Sequence, residues 1–171
     1  FHEGQTIGPN NTKSHGPNSV ISMLHAYLQS HSHAKALHGH CDNCCGQNKN
    51  KSVMAYLCWR VLAGLEDDIR LSFMIVGHTR CSVDGGFGLA KKKYRSADCD
   101  SPAQLVSTIE ASAVQNKVEL FSWEWRDWDT FLSQKFKKII GITKFQHFHF
   151  SKAHPGVVKM KASAEGEEVS L

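Results

Sequence analysis

The sequence predicts an α/β domain in which a mixed sheet is flanked by helices. Residues 20–28 carry apolar side chains at helical spacing, and residues 52–63 are apolar on nearly every side of a helix. The apolar runs at 36–41 and 69–76 have the length of strands. Residues 145–151 alternate with the period of two that a strand requires.

The whole chain can be divided into elements by the same signals. In chain order we predict loop 1–17, helix 18–30, strand 36–41, helix 51–63, strand 69–76, helix 89–95, helix 102–113, strand 118–122, helix 128–136, strand 145–151 and strand 157–161. A strand is also expected to end at Phe1, before the opening loop. We find no internal repeat.

Capping residues set the ends of the predicted helices. Asn18 or Ser19 can accept a hydrogen bond from the free N–H groups of the first helix. Gly64 follows the second helix, where glycine commonly ends a helix. Ser101 followed by Pro102 is a strong start signal, because proline suits the first helical position.

Glycines are expected to shift the start of one helix to a later residue. Residues 85–88 include three glycines, and each opposes helix formation by about 1 kcal/mol relative to alanine. We therefore expect the regular helix to begin near Leu89, with Asp84 at or just before its start.

The strand patterns predict which faces are buried. Residues 69–76 first alternate and then become continuously apolar, so we expect a strand covered on both faces. Residues 145–151 place Phe148 on one face and His149 on the other. Residues 162–171 have no such pattern and are expected to be frayed.

Composition limits the class of protein only loosely. The 171 residues suit one domain, and 20 Lys and Arg against 16 Asp and Glu permit a polyanionic partner without requiring one. No apolar run could span a bilayer, and the chain does not open on a signal peptide. Three of the six cysteines are crowded together, which does not resemble a secreted disulfide framework and favours a reducing compartment.

The stretch 40–50 contains the main candidate for chemistry. Asp42 follows the strand 36–41, and ligands collect at the carboxyl ends of strands in open α/β sheets. If Asp84 met Asp42 at this edge, the two carboxylates would suit Mg²⁺ or Mn²⁺, which can activate a nucleophile in phosphodiester chemistry. Either acid could instead only cap a helix.

Polar residues near these acids are further candidates. Amide side chains can orient a phosphate or simply form turns, and basic ones can contact a phosphodiester backbone or remain solvated. The candidate nucleic-acid contacts are Asn43, Gln47, Asn48, Lys49, Asn50, Lys51, Arg80 and Lys91. His78 is a candidate ligand or base, or a turn histidine without a chemical role.

The cysteines offer a competing interpretation. Cys41, Cys44 and Cys45, with His38 and His40, have types and spacing that can bind Zn²⁺. A second ligand pair at fixed spacing is missing, so we expect no structural zinc and interpret Cys41 and Cys45 as small buried residues. A second open choice concerns Trp123, Trp125 and Trp128, which could stack on bases but more often complete a core.

Three motifs together carry a resemblance to a known family. They are Asp-Asn-Cys-Cys-Gly-Gln-Asn-Lys-Asn at 42–50, the run 71–80 that ends in Gly-His-Thr-Arg, and Asp84 followed by Phe87-Gly88-Leu89 and Lys91. The pattern, over roughly residues 1–150, resembles a poorly characterised domain of transposon-derived open reading frames in animals and other eukaryotes. That domain is related to the integrase and transposase branch of the ribonuclease H-like superfamily.

The resemblance implies a fold, an activity and a set of ligands. It implies a ribonuclease H-like domain over residues 1–152, followed by a strand and a frayed tail at 153–171. It implies nucleic-acid cleavage or strand transfer with Mg²⁺ or Mn²⁺, in which Asp42 is the strand-end ligand and Asp84 the later acid. The leading acid would lie on a strand upstream of Phe1 or be absent, which leaves Glu3 as a weak substitute and the fold without its first strands.

Two classes of function therefore remain open. The first is a metal-dependent nuclease or strand-transferase, which is inactive if its catalytic set is incomplete. The second is a domesticated, catalytically silent module that binds nucleic acid or protein. For either class we expect a nuclear protein whose nucleic-acid partner is DNA rather than RNA. We expect no membrane partner, and the formation of a homo-oligomer remains an open possibility.

Overall fold

The computed structural model describes residues 16–31, 34–75, 82–119 and 124–171. The chain divides into two compact units, which are described separately. The first unit comprises Phe1–Gly77 and Trp123–Leu171, and the second comprises His78–Ser122.

The observed elements follow the predicted order closely. In chain order they are α1 Pro17–His31, β1 Ala36–Cys41, α2 Lys51–Leu62, β2 Asp68–Phe73, α3 Ser82–Tyr94, α4 Pro102–Glu110, α5 Trp128–Ser133, a 3₁₀-helix Ile142–Lys144, β3 His147–Ser151, β4 Val158–Lys161 and β5 Glu168–Ser170. The α/β class is confirmed. Asp127 caps α5 and Ser101 caps α4, each with a side-chain oxygen that accepts a backbone N–H.

The first unit contains one mixed sheet in the order β1-β2-β3-β4-β5. Strands β1 and β2 are parallel, with α2 in the crossover connection that a parallel pair needs, and the other neighbouring pairs are antiparallel. Among the described strands, β1 and β5 form the two edges of the sheet. Because β1 and β2 are parallel, their carboxyl ends lie at the same end of the sheet, which we call its carboxyl edge.

The core lies on the face of the sheet that α2 covers. Ile69, Leu71 and Phe73 of β2 are buried there, together with Phe148 and Phe150 of β3. Helices α1 and α5 pack against α2. The two phenylalanines share one face, as the alternation predicts.

The expectation that 69–76 is covered on both faces was wrong. The strand ends at Phe73, and Arg70 is exposed on the face opposite the core. The continuously apolar part of the run begins only at Phe73, the last residue of the strand, and Ile75 beyond it is 68% exposed. Apolar residues that follow a strand therefore imitated a strand with two buried faces.

A buried polar network connects α1 to α2. The Arg60 guanidinium donates two hydrogen bonds to the Glu66 carboxylate, at 2.7 and 2.6 Å, and one to the Tyr56 hydroxyl at 2.8 Å. His25 Nδ1 lies 3.1 Å from the same hydroxyl. Burial, with the charges of Arg60 and Arg126, lowers the pKa of His25 to about 4.

The described part of the second unit contains the helices α3 and α4. Helix α3 begins at Ser82, so the glycines at 85–88 lie inside it and the expected late start was wrong. Gly86 allows a close approach, because its carbonyl accepts a hydrogen bond from Asn116 Nδ2 at 3.1 Å and a Cβ there would lie 3.0 Å from Asn116 Oδ1. The glycines therefore lie inside a helix despite their low helix propensity, and one of them, Gly86, contacts Asn116.

The end of the chain is more ordered than its pattern indicates. Strand β5 pairs with β4 through Lys161 and Glu168, within the stretch 162–171 that was expected to fray. The strand expected at 118–122 is not observed at 118–119, and the rest lies outside the described residues. No helix in the described ranges is long and apolar enough to cross a membrane.

Candidate functional site

Asp42 lies at the carboxyl edge that β1 and β2 share. It follows the last residue of β1 directly, and the N–H of Met74 donates to the Cys41 carbonyl at 2.9 Å, one position beyond the end of β2. The sequence predicted this strand-end position, and it is observed.

One oxygen of Asp42 is engaged within the loop. Asp42 Oδ1 accepts hydrogen bonds from the Cys44 N–H at 3.1 Å and from Asn48 Nδ2 at 2.7 Å. The side chain is exposed, and no hydrogen-bond donor among the described residues contacts Oδ2. The carboxylate is thus oriented through one oxygen and presents the other to solvent.

The backbone of the loop is organised around the carbonyl of Cys44. This carbonyl accepts the N–H groups of Gln47, Asn48 and Lys49 at 3.2, 2.7 and 3.0 Å. Asn50 then caps α2, because its Oδ1 accepts the N–H groups of residues 52 and 53, both at 3.1 Å. Helix α2 is therefore capped by Asn50 and not by Asp42.

Asn43 and Lys49 fasten the loop to the sheet. Asn43 Nδ2 donates to the Met74 carbonyl, and the Lys49 ammonium donates to Asn43 Oδ1 at 2.9 Å and to the Thr143 carbonyl at 3.3 Å. The same ammonium lies 5.0 Å from the centre of the Phe73 ring.

Lys49 is consequently not presented to a ligand. It is only 3% exposed, and burial lowers its pKa, although the nearby Cys45 raises it. The sequence placed Lys49 among the phosphate contacts because it flanks the same edge as Asp42, where a phosphodiester backbone would lie. The structure places its ammonium inside the first unit.

Two other predicted contacts of the loop remain accessible. Gln47 is exposed, and its carbonyl accepts a hydrogen bond from Asn50 Nδ2 at 3.0 Å. The Lys51 side chain is 50% exposed and lies 3.7 Å from Asp129, which also accepts a hydrogen bond from Ser52 Oγ. Both side chains can meet a ligand without disturbing the loop.

The remaining candidates belong to the second unit or lie outside the described residues. Asp84 is exposed in the first turn of α3, and Lys91 is exposed in its last turn. His78 and Arg80, like the weak substitute Glu3, lie outside the described residues. A shared cation between Asp42 and Asp84 stays a prediction.

The cysteine cluster is more exposed than expected. Cys45 is exposed, so its interpretation as a buried residue was wrong, while Cys41 is half-buried and burial, followed by the Asp42 charge, raises its pKa. His38 and His40 lie on the face of β1 opposite Cys41. In the described part of the chain no three His, Cys, Asp or Glu side chains are placed to hold a metal ion.

The tryptophans are used differently from one another. Trp128 is buried in the core and its Nε1 donates to Ser22 Oγ at 3.2 Å, as the interpretation of a core residue predicts. Trp125 is half-buried, and Trp123 lies outside the described residues.

One basic surface was missed by the sequence analysis. Lys135, Lys137 and Lys138 follow α5 and, with Lys51, line two neighbouring cavities beside α2 of about 310 and 190 Å³. The sequence feature that indicates this basic surface is the group of three lysines around Phe136. It was not used, because this stretch was interpreted only as the end of a helix.

Comparison with known proteins gives a family. A family model described as a domain of unknown function, DUF7869, matches residues 5–167. No curated protein and no solved structure matches the chain. Because the family match spans most of its residues, this chain belongs to the DUF7869 family of domains of unknown function.

Proposed function

We propose that this domain acts on nucleic acid and uses Asp42 as a metal ligand for phosphodiester cleavage or strand transfer. The observation that supports this proposal is the exposed Asp42 carboxylate at the carboxyl end of β1, oriented through Oδ1 with Oδ2 open to solvent. A parallel strand-helix-strand unit in which an acid directly follows the first strand also agrees with the resemblance to ribonuclease H-like integrases and transposases.

The residues near Asp42 fit a hard divalent cation only in part. Carboxylate and amide oxygens suit Mg²⁺ or Mn²⁺, and Mg²⁺ usually keeps several waters and takes one or two carboxylates together with substrate phosphates. The described loop supplies one carboxylate. A complete site therefore needs further acids, and the resemblance implies Asp84 and a leading acid for that role.

The described residues have a positioning role in this proposal. When bound, the cation would supply the Lewis acid that activates water or a 3′-hydroxyl. Asn48 and the Cys44 N–H hold the Asp42 carboxylate in one orientation, and Asn43 with Lys49 holds the loop on the sheet. Such preorganisation matters, because a misplacement of about 1 Å can cost on the order of 10²-fold in rate.

A catalytically silent module that binds nucleic acid or protein is the second candidate. One observation favours it specifically, since the described residues contain no group of three metal-binding side chains. In that case Asp42 and its neighbours would shape a loop that only contacts a partner.

Cleavage and binding assays on the same protein separate these candidates. We expect the chain to bind DNA in a salt-sensitive manner and to nick plasmid slowly with Mn²⁺. Asp42→Asn should reduce nicking by about 10²-fold while DNA binding is retained, because the substitution removes a ligand charge and not a phosphate contact. Asp98→Asn, an isosteric change at an exposed acid of the second unit, is the matched control and should retain both properties.

Each result has a defined meaning. If nicking survives Asp42→Asn, Asp42 is not the metal ligand on which cleavage depends. DNA binding without Mn²⁺-dependent nicking, by the wild type and by both variants, would support the silent module. Absence of DNA binding would contradict both nucleic-acid proposals.

A further inference from the structure

A lysine-lined groove runs along α2 on the surface of the first unit. It includes two neighbouring cavities, of about 310 and 190 Å³, whose linings share Lys51, Ala55, Phe136 and Lys137. A third cavity of about 180 Å³, lined by residues that include Asn50 and Lys51, lies at the amino end of the same helix. We call the surface formed by these three cavities the α2 groove.

The rim of the α2 groove is positively charged. Lys51, Lys135, Lys137 and Lys138 line it, and the last three are exposed. Asp129 is the single acid among the lining residues described, and its side chain already accepts a hydrogen bond from Ser52 Oγ. The excess of cations attracts an anionic ligand.

The floor of the α2 groove is apolar. The larger cavity is lined by side chains from α2, from the segment after α5 and from the sheet, namely Met54, Ala55, Cys58, Leu62, Phe136, Ile139, Phe150 and Val158. Its volume is at the lower end of the range for small-ligand pockets, roughly 300–1,000 Å³. A flat aromatic ring can be accommodated there while the charged groups attached to it remain at the rim.

We propose that the α2 groove binds single-stranded nucleic acid, with phosphates at the lysines and an unstacked base on the apolar floor. This combination of a cationic track and an apolar or aromatic platform is what single-strand binding uses. A duplex keeps its bases stacked and would offer the floor no base. The inference rests on the proposed function, and it places the strand next to the loop that carries Asp42, because Lys51 directly follows the Asn50 cap.

A salt titration of binding tests the α2 groove directly. The probe is a fluorescein-labelled 20-nucleotide oligothymidylate, and its affinity is measured by anisotropy across a series of salt concentrations. For single strands each phosphate contact contributes about 0.7 to the slope of log K against log salt. Lys137→Gln with Lys138→Gln should therefore reduce the slope by about 1.4 and weaken binding at low salt by about 10-fold or more.

The matched control removes two charges elsewhere. Lys117→Gln with Lys152→Gln changes the net charge equally at two exposed lysines outside the groove, and it should leave the slope within error of the wild type. Tryptophan fluorescence and unfolding curves establish that both double variants are folded. A general effect of net charge would change the slope equally in both.

The outcomes distinguish this inference from the proposed function. If both double variants bind oligothymidylate with the same salt slope, the α2 groove is not the binding site. Nucleic-acid binding by the domain would still stand. No binding by the wild type would contradict the proposed function itself. Equal affinity for the matching duplex, or tighter groove-dependent binding of a labelled peptide of alternating glutamate and leucine, would overturn the single-strand assignment.

Discussion

Two regions of the first unit each bury a cation, and they differ in how its charge is compensated. At the carboxyl end of α2, Arg60 is 3% exposed and its guanidinium contacts the Glu66 carboxylate through two hydrogen bonds. At the edge of the sheet, Lys49 is equally buried, but its described partners are the Asn43 amide oxygen, the Thr143 carbonyl and the Phe73 ring.

The difference separates a buried ion pair from a buried cation that is held by uncharged groups. Arg60 and Glu66 neutralise one another, and the Tyr56 hydroxyl accepts a further hydrogen bond from the guanidinium. Lys49 has no carboxylate within 4 Å among the described residues, and its direct contacts are an amide oxygen, a backbone carbonyl and a ring face. Its ammonium is therefore held by uncharged groups beside the loop that carries Asp42.

The largest effect is expected from breaking the compensated pair. Glu66→Leu leaves the Arg60 guanidinium buried without its carboxylate, and removing one partner of a buried pair costs about 3–5 kcal/mol. Urea unfolding followed by tryptophan fluorescence measures the change in the free energy of unfolding.

A double variant is the control for this substitution. Arg60→Met added to Glu66→Leu removes the stranded charge, so most of the lost stability should return, because apolar replacements of buried pairs are often neutral. A double variant as unstable as Glu66→Leu alone would show that packing, and not charge compensation, makes this region stable.

The second effect is a dependence of stability on pH, also in the Arg60 region. Burial and the charges of Arg60 and Arg126 lower the pKa of His25 from 6.5 to about 4, which means that the folded protein holds the neutral ring. Unfolding takes up a proton between these values, so stability is fully present above pH 6.5 and falls as the pH decreases toward 4. The difference between the two pKa values of His25 corresponds to about 3 kcal/mol in the free energy of unfolding.

His25→Gln isolates this contribution. Glutamine can still contact the Tyr56 hydroxyl but does not titrate, so the decrease in unfolding free energy between pH 6.5 and 4 should become smaller. Asp68 also contributes in acid: burial raises its pKa, but the contacts with His149 and Arg70 lower it overall, and its contribution is lost below the usual range of a carboxyl group. An unchanged pH profile in His25→Gln would contradict the assignment to His25.

Periodicity and capping predicted most of the fold, because these signals are local. The strand 36–41 was predicted with its observed bounds, and the apolar spacing of α2 reflects burial on nearly all its sides. The one-sided burial of β2 was missed, since the sequence does not show where a strand ends within an apolar run. Strand β5 was missed because it has only three residues and all of them are exposed, so no run of alternating apolar and polar residues marks it.

The candidate site was predictable in position but not in the roles of its residues. The location of Asp42 follows from the order of strand and loop. Which polar side chains of the loop face inward depends on contacts with distant residues, such as the bond from Lys49 to the Thr143 carbonyl. No spacing rule contains that information, so Lys49 and Lys51 were expected to be equivalent.

The smallest effect tests that difference between Lys49 and Lys51. Lys49→Met keeps the length of the side chain and its contact with Phe73, but it leaves Asn43 Oδ1 and the Thr143 carbonyl without their donor, which should cost about 1–2 kcal/mol. Lys51→Met, at a half-exposed position two residues further on, should change the free energy of unfolding by less than about 0.5 kcal/mol. In oligothymidylate binding the order should reverse, because only Lys51 can contact a phosphate, and its loss should reduce the salt slope by about 0.7. If Lys49→Met reduced the slope as much as Lys51→Met does, the Lys49 ammonium would have to leave its buried position when nucleic acid binds.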